Sequence, residues 1–360
     1  MHNKERRITK NASVRTRAAL ILLTIATLTS LTACSRPVPR QSETELLLGT
    51  TISVTTYGRT PDGMFESVFA RVQEIEERMS TSEKDYTMTE LMAVNDAAGE
   101  EAVVVSPDTF EVVRQAVEYS RRTEGAFDVT VGPLVSLWGI GSGGEVVPAE
   151  QLIAEARASI DYAKVQLDPA RRTIYLPDPA MGVDVGGIAK GYAADEAARI
   201  LREQGVDSAL LDFGGNILTV GEKPDGSPWR IGIQVPDAGR GEYLGIAEVV
   251  DLAVVTSGTY ERYFIYDGVR YHHILDTETG YPARNGIESV TIITPESMRA
   301  DALSTALFVM GAERAMAYVE SQPDVEALFV NTENEVFMSS GMGDYFSLTN
   351  EAFTISELAD

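Results

Sequence analysis

Asp301 and Thr305 lie four positions apart in Arg299-Ala-Asp301-Ala-Leu-Ser-Thr305-Ala-Leu-Phe308. On a helix that spacing puts both oxygens on one face, aimed at a common spot where a hard cation can sit. Mg2+ takes oxygen ligands, keeps several waters and commonly binds through one or two carboxylates plus substrate phosphates, so one Asp and one Thr suffice if a diphosphate completes the shell. The same residues also suit a plain helix in which Asp301 is a cap or meets solvent and Thr305 is incidental. A second stretch, Asp184-Val-Gly186-Gly187-Ile-Ala189-Lys190-Gly191, places three glycines and a lysine at the mouth of a helix predicted to run to about Gln204. Glycines admit close backbone approach, and the first helical turn leaves N–H groups unpaired at the positive end of the macrodipole, so this mouth suits a phosphate. The stretch is neither a dinucleotide fingerprint nor a P-loop, because Lys190 is followed by Gly191 instead of Ser or Thr. A glycine turn before an ordinary surface helix fits these eight residues equally well.

Two further constellations carry polar chemistry. With His2 in a basic leader, only His272 and His273 remain in the body of the chain. On a strand predicted over Tyr271 to Leu275 they point to opposite faces, so one can enter a cleft. A neutral imidazole there can take a proton from a hydroxyl nucleophile, or it can simply hydrogen-bond to position its loop. Gly125-Ala126-Phe127-Asp128 sets a carboxylate and an aromatic ring beside a glycine turn, which suits either a ligand contact or a buried Phe with Asp128 capping its neighbour.

These groups need a scaffold, and 360 residues at 44% hydrophobic content are enough to bury a full core in one large domain or two intimate ones. The formal charge is −24, and because residues 1 to 33 are basic, the remainder is more acidic still. Such a surface repels phosphate backbones, so nucleic acid is not an expected partner, and a phosphate ligand must be held by local amides and a metal. The basic start and the apolar run Ala18 to Ala33 read as a secretory signal over residues 1–33. Its ending, Leu31-Thr-Ala-Cys34, resembles a bacterial lipobox. That resemblance implies lipid attachment at Cys34, palmitate included, and a membrane-anchored, extracytoplasmic protein on the periplasmic face of the inner or outer membrane. Residues 34–45, with Pro37 and Pro39, read as a tether, 46–345 as the folded domain and 346–360 as an acidic tail.

Within the domain, Leu46 to Tyr57 is a strand-like run, and Phe65, Val68, Phe69, Val72, Ile75 and Met79 recur with helical spacing. Ser106-Pro107 starts a helix with a cap and a first-turn proline. Ala209 to Phe213, Ile217 to Val220, Trp229 to Val235 and Ala253 to Ser257 are predicted strands, with Tyr271 to Leu275 continuing the sheet. Alternation of strand and helix suggests two related α+β halves.

Together the segments resemble the ApbE family, the FAD:protein FMN transferases. Asp184-Val-Gly-Gly-Ile-Ala-Lys-Gly is similar to its central glycine motif, Gly125-Ala-Phe-Asp128 to its flavin-contacting turn, His273-Ile-Leu-Asp276-Thr-Glu-Thr-Gly280 to its histidine signature, and Ala300-Asp301 to Thr305 to its magnesium helix. The resemblance runs in family order from about Gly49 to about Phe337. It implies an α+β, ApbE-like fold with mixed and antiparallel sheets flanked by helices around a flavin cleft. FAD, the substrate, would contact Leu48, Ala126, Phe127, Asp128, Gly186, Gly187, Lys190 and Leu275. Mg2+ would bind Asp301, Thr305 and the carbonyl of Ala189, with His273 and Asp301 catalytic. The implied reaction moves FMN to a Thr or Ser of an acceptor protein of extracytoplasmic redox complexes, with release of AMP. An FAD pyrophosphatase giving FMN and AMP and a non-catalytic flavin-binding lipoprotein are the alternatives. The chain departs from the family at Ser80-Thr-Ser82, where an aromatic residue is usual. Tyr86, on a longer loop, is the candidate to replace that ring.

Overall fold

A computed structural model of the chain describes residues 38–82, 86–141, 143, 145–239 and 241–358. The signal segment, Cys34 and the tether as far as residue 37 lie outside the described residues.

The frame is a nine-stranded sheet whose spatial order follows the chain: Arg40–Leu47, Thr50–Tyr57, Ala209–Phe213, Asn216–Val220, Ala253–Gly258, Ile287–Thr294, Glu326–Asn331, Glu335–Met338 and Thr354–Ile355. Its neighbours pair antiparallel except for the last two strands, which are parallel. Alternation along the strands divides the core. Ala253, Val255, Val290, Ile292 and Phe329 face the helices, whereas Val254, Ile293, Leu328 and Val330 face a small sheet that contributes Trp229, Ile233, Leu244 and Phe346. A third, smaller apolar cluster of Leu134, Trp138, Ile153 and Leu275 underlies the loop after His273. The architecture is therefore α+β, with helices on one face of the sheet and a three-stranded sheet on the other.

Four expectations need correction. The run from Leu46 to Tyr57 is two strands, because Leu48 and Gly49 turn the chain with φ of 52° and 66° in a two-residue loop of the positive-φ kind that matches strand twist. The tether reading fails from Arg40 onward, since Arg40–Leu47 pairs along its whole length with Thr50–Tyr57. That strand is almost wholly exposed, so it carries little apolar signal, and it is held by backbone pairing with side-chain bonds from Ser42 to Thr55 and from Thr44 to Ser53. The acidic tail is likewise part of the fold. Phe346–Leu348 pairs with Tyr243–Val249, Thr354–Ile355 pairs with Glu335–Met338, and Phe346 and Phe353 are buried. Finally, Tyr271 to Leu275 does not continue the main sheet. Val269–His272 folds back on Tyr263–Tyr266 through Asp267-Gly268, both at positive φ, and forms a separate hairpin.

Two crossing helices position the glycine motif and Asp301. The motif helix, Ala189–Glu203, buries Ala193, Ala194, Ala197, Ala198 and Leu201 as the spacing predicts. The Asp301 helix, Ser297–Met310, crosses it so closely that a side chain on Gly191 would begin 2.3 Å from the Ser297 carbonyl oxygen and 2.5 Å from Met298 Cα. Each helix caps the other. Asp195 of the motif helix accepts the N–H groups of Ser297 and Met298 at 2.9 and 2.8 Å, and Asp301 accepts the N–H of Gly191 at 2.9 Å. Outside this crossing, Arg71 on Met64–Met79 binds Asp108 on Pro107–Arg122 and Glu196 on the motif helix. Tyr192 donates to the same Asp108 at 2.8 Å, which ties three helices together.

Burial raises the Asp195 pKa from 3.8 to about 6 despite the two amides that favour its anion. Between these values the folded chain binds more protons at this site than the unfolded chain, so the contribution of Asp195 to stability is full below about pH 4 and declines as pH rises through about 6. Unfolding of the native chain and of Asp195→Asn should therefore converge at the alkaline end of that window, or cross there. Denaturant titrations at several pH values check this, and a stability difference that does not change with pH would contradict it.

Candidate active site

At the crossing of the two helices the structure brings together residues from three separate stretches. Asp301 is 4% exposed, has Oδ2 on the Gly191 amide, and has Oδ1 3.6 Å from Lys190 Nζ. Thr305, one turn later, places its hydroxyl 3.4 Å from where a side chain on Gly187 would begin, and the Phe127 ring edge lies 3.1 Å from the same point. The glycine turn, the aromatic ring and the Asp301 helix thus converge at Gly187, where any larger residue would press on the Phe127 ring edge. The turn itself is held by Asp184, whose carboxylate accepts the Gly186 amide at 2.8 Å and the Thr81 hydroxyl at 3.2 Å. The Gly186 N–H is therefore engaged within the chain. The N–H of Gly187 has no acceptor among the described residues and is the donor left for an anion at this mouth. Lys190 Nζ donates to the Gly186 carbonyl at 3.4 Å, bridging the turn and Asp301. Ala189 opens the motif helix and is buried.

The two histidines separate, His272 ending the strand of the second hairpin and His273 standing in the bend after it. His272 is 5% exposed. Its Nε2–H donates to the Ala283 carbonyl at 2.9 Å while Nδ1 accepts the Ile274 N–H, and burial pushes its pKa down to about 4. With both ring nitrogens satisfied in the neutral form, His272 is a structural residue. His273 is exposed, and its Nδ1 lies 3.2 Å from the Arg262 carbonyl oxygen. A carbonyl only accepts, so Nδ1 carries the proton and Nε2 keeps its lone pair. The surrounding protein, followed by the charges of Arg262 and Lys190, lowers the His273 pKa. Water still reaches the ring, which tempers the depression but not its direction. His273 is thus a neutral imidazole at physiological pH with Nε2 free to take a proton.

The surrounding loops are fastened by bonds from side chains to backbone. Asn95 grips Val183, its amide donating to the carbonyl at 3.0 Å and its oxygen accepting the N–H at 2.7 Å, directly before Asp184. Thr277 donates to the Gly125 carbonyl at 3.0 Å, joining the loop after His273 to the turn that carries Ala126 and Phe127. Asp276 caps its own loop through Glu278 and Thr279, and Trp138 Nε1–H donates to the Gly280 carbonyl at 2.8 Å. Leu275 is buried against Trp138 and bridges to Pro282. Asp128, buried with its pKa raised by desolvation, uses Oδ1 to accept the N–H and hydroxyl of Thr130, the local capping role open to it from the residues alone. Leu48 sits at positive φ in the first hairpin turn, a costly conformation for a residue with a Cβ. In the departing loop, Ser82 N–H donates to Ser80 Oγ and Tyr86 N–H to the Ser82 carbonyl; residues 83–85 lie outside the described residues. Asn95, Thr277, Asp195 and Arg262 were not singled out from sequence for these roles. Of these, Asn95 alone sits in a pattern readable from the sequence, Glu90-Leu91 followed four residues later by Asn95.

Comparison with known proteins fits this geometry. The sequence model described as the ApbE family matches residues 48–329. The FAD:protein FMN transferase of Treponema pallidum is 36% identical over 335 residues, covering 88% of this chain and 92% of its own length. That of Klebsiella pneumoniae is 35% identical over 314 residues, covering 87% and 96%. Among solved structures, the ApbE protein of Thermotoga maritima superposes with a TM-score of 0.79 at 32% identity, covering 85% of this chain and 99% of that one. The flavin transferase ApbE of Vibrio cholerae superposes with 0.76 at 33% identity, covering 86% and 100%. With its motifs in order and its helices crossing at the glycine turn, the chain belongs to the ApbE family of flavin transferases.

Proposed function

We propose that the chain is an Mg2+-dependent FAD:protein FMN transferase that esterifies a threonine or serine of an acceptor protein and releases AMP. The observation that carries this reading is the convergence of Gly187, Phe127 and Thr305 beside Asp301, within a family whose relatives bear that activity in their names. The donor set suits Mg2+. Among the described residues Asp301 Oδ1 meets Lys190 alone, Thr305 offers a hydroxyl on the same helical face, and Ala189 offers a carbonyl. Among the described residues no group of three or more His, Cys, Asp or Glu could form an all-protein cage, so phosphate and water oxygens would complete the shell, as is usual for this ion. When bound, the ion neutralises charge on the phosphate oxygens.

The chain's own residues do the rest. The Gly187 amide faces the diphosphate, and Phe127 closes the turn behind it. His273 Nε2 takes the hydroxyl proton as the acceptor oxygen bonds to the flavin-side phosphorus. The bond from that phosphorus to the bridging oxygen breaks, and AMP leaves with that oxygen. Positioning and charge neutralisation supply most of the acceleration in such transfers. The acceptors are extracytoplasmic redox subunits, and the lipobox-like Leu31-Thr-Ala-Cys34 supports a lipid anchor that holds the domain at the periplasmic face of a membrane.

Incubating the full chain with FAD, Mg2+ and a threonine-bearing acceptor tests this directly. AMP with flavinylated acceptor is expected; AMP with free FMN would make the chain a pyrophosphatase, and unchanged FAD a binding protein. His273→Ala should lower kcat by about a hundredfold or more. Because its pKa is depressed, the acid limb of the wild-type kcat profile should lie below the ordinary 6.5 of imidazole. Asp301→Ala should lose turnover that excess Mg2+ restores only in part, and full turnover after EDTA treatment would refute the metal role. In cells that acylate lipoproteins, Cys34→Ser should move the protein from membranes to the soluble fraction while flavin binding persists; retention would refute the anchor.

A further inference from the structure

We infer that the Arg262 guanidinium reads the phosphate nearest the flavin, holding it between the Leu48–Gly49 turn and His273; this deepens the flavin-transfer reading and rests on it. The backbone of Arg262 is fixed to the base twice, its carbonyl accepting the His273 N–H at 3.0 Å and the Nδ1–H at 3.2 Å. Its side chain runs to the other wall of the site, where Nη2 donates to the Gly49 carbonyl at a long 3.3 Å. A guanidinium carries five N–H donors, and this is the one bond that its side chain makes among the described residues. It is solvent-exposed, and no carboxylate lies within ion-pair distance of it there. The neighbouring Lys190, by contrast, already has Asp301 at 3.6 Å. An unpaired planar fork beside a neutral imidazole suits an incoming phosphate, to which it can bond through two parallel N–H groups. The two cations divide the site. Lys190 stands on the side of Asp301, where the ion would sit, and Arg262 on the side of Leu48, where the isoalloxazine ring is expected. The depressed basicity of His273, to which the Arg262 charge contributes, agrees with this closeness.

Binding of riboflavin and of FMN to the full chain, monitored by quenching of flavin fluorescence, isolates the phosphate. Wild-type protein should prefer FMN. Arg262→Ala should weaken FMN by about tenfold or more and leave riboflavin unchanged, as expected for loss of a charge-assisted pair. Arg262→Lys should recover part of the preference. Arg262→Gln can still donate to the Gly49 carbonyl but has no charge, and should behave like the alanine variant. Equal losses for both flavins, recovery by glutamine, no effect of Arg262→Ala, or a wild type indifferent to the phosphate would each overturn the inference. Because the readout is binding, a chain that discriminates FMN through Arg262 yet transfers nothing would refute the transfer reading alone.

Discussion

The close crossing at Gly191 is the constraint on which the site depends. A helix N-terminus buried against another helix leaves amides that need partners, and here each helix supplies a carboxylate to the other. Asp195 caps the start of the Asp301 helix and Asp301 caps the start of the motif helix, so neither can shift without unpairing buried donors. Only glycine allows the approach, since any Cβ at 191 would overlap the Ser297 carbonyl. The crossing also decides which polar groups meet. With Oδ2 of Asp301 committed to the Gly191 amide, Oδ1 is left facing Lys190, and Thr305 one turn further on comes against Gly187 and Phe127. A residue that caps a helix with one oxygen can offer the other to a cation, so the structural and functional readings of Asp301 are compatible.

Around this crossing the site is preorganised by fastening backbone, which suits a reaction driven by position and charge. Asn95 holds Val183, Asp184 holds Gly186, Thr277 holds Gly125 and Trp138 holds Gly280, so each loop that lines the cleft is pinned by a side chain. The electrostatics follow the same economy. The chain is strongly acidic overall, yet the site sets Lys190 and Arg262 close enough to His273 for both charges to lower its pKa. A phosphate at this site would thus be met by a local arrangement within a field that would otherwise repel it.

The fold is a meander widened by insertions. Strands that are neighbours in sequence are neighbours in space, and the helices and hairpin that carry the site are excursions from that order. The excursion between Gly258 and Ile287 delivers His273, and the helix that follows Thr294 delivers Asp301. The largest excursion, between Tyr57 and Ala209, brings Phe127 and the glycine turn.

What was legible in the sequence is what depends on short spacings. The i, i+4 relation of Asp301 and Thr305, the glycine cluster before an alanine-rich helical face and the apolar stripe from Phe65 to Met79 are all set by the helix period. Motif order added the family and so the α+β class. Tertiary structure decided whatever joins distant residues or leaves little apolar trace. The exposed strand from Arg40 to Leu47 exists through backbone pairing, which composition does not encode, and the paired segments near the C-terminus look like a charged tail until their partners are known. The tautomer of His273 depends on the carbonyl of a residue across a hairpin. The caps on the two central helices join residues 102 to 110 positions apart, and no local pattern distinguishes Asp195 from any other helical aspartate. Side-chain periodicity is a property of one segment, whereas a hydrogen bond between segments exists only once both have been placed.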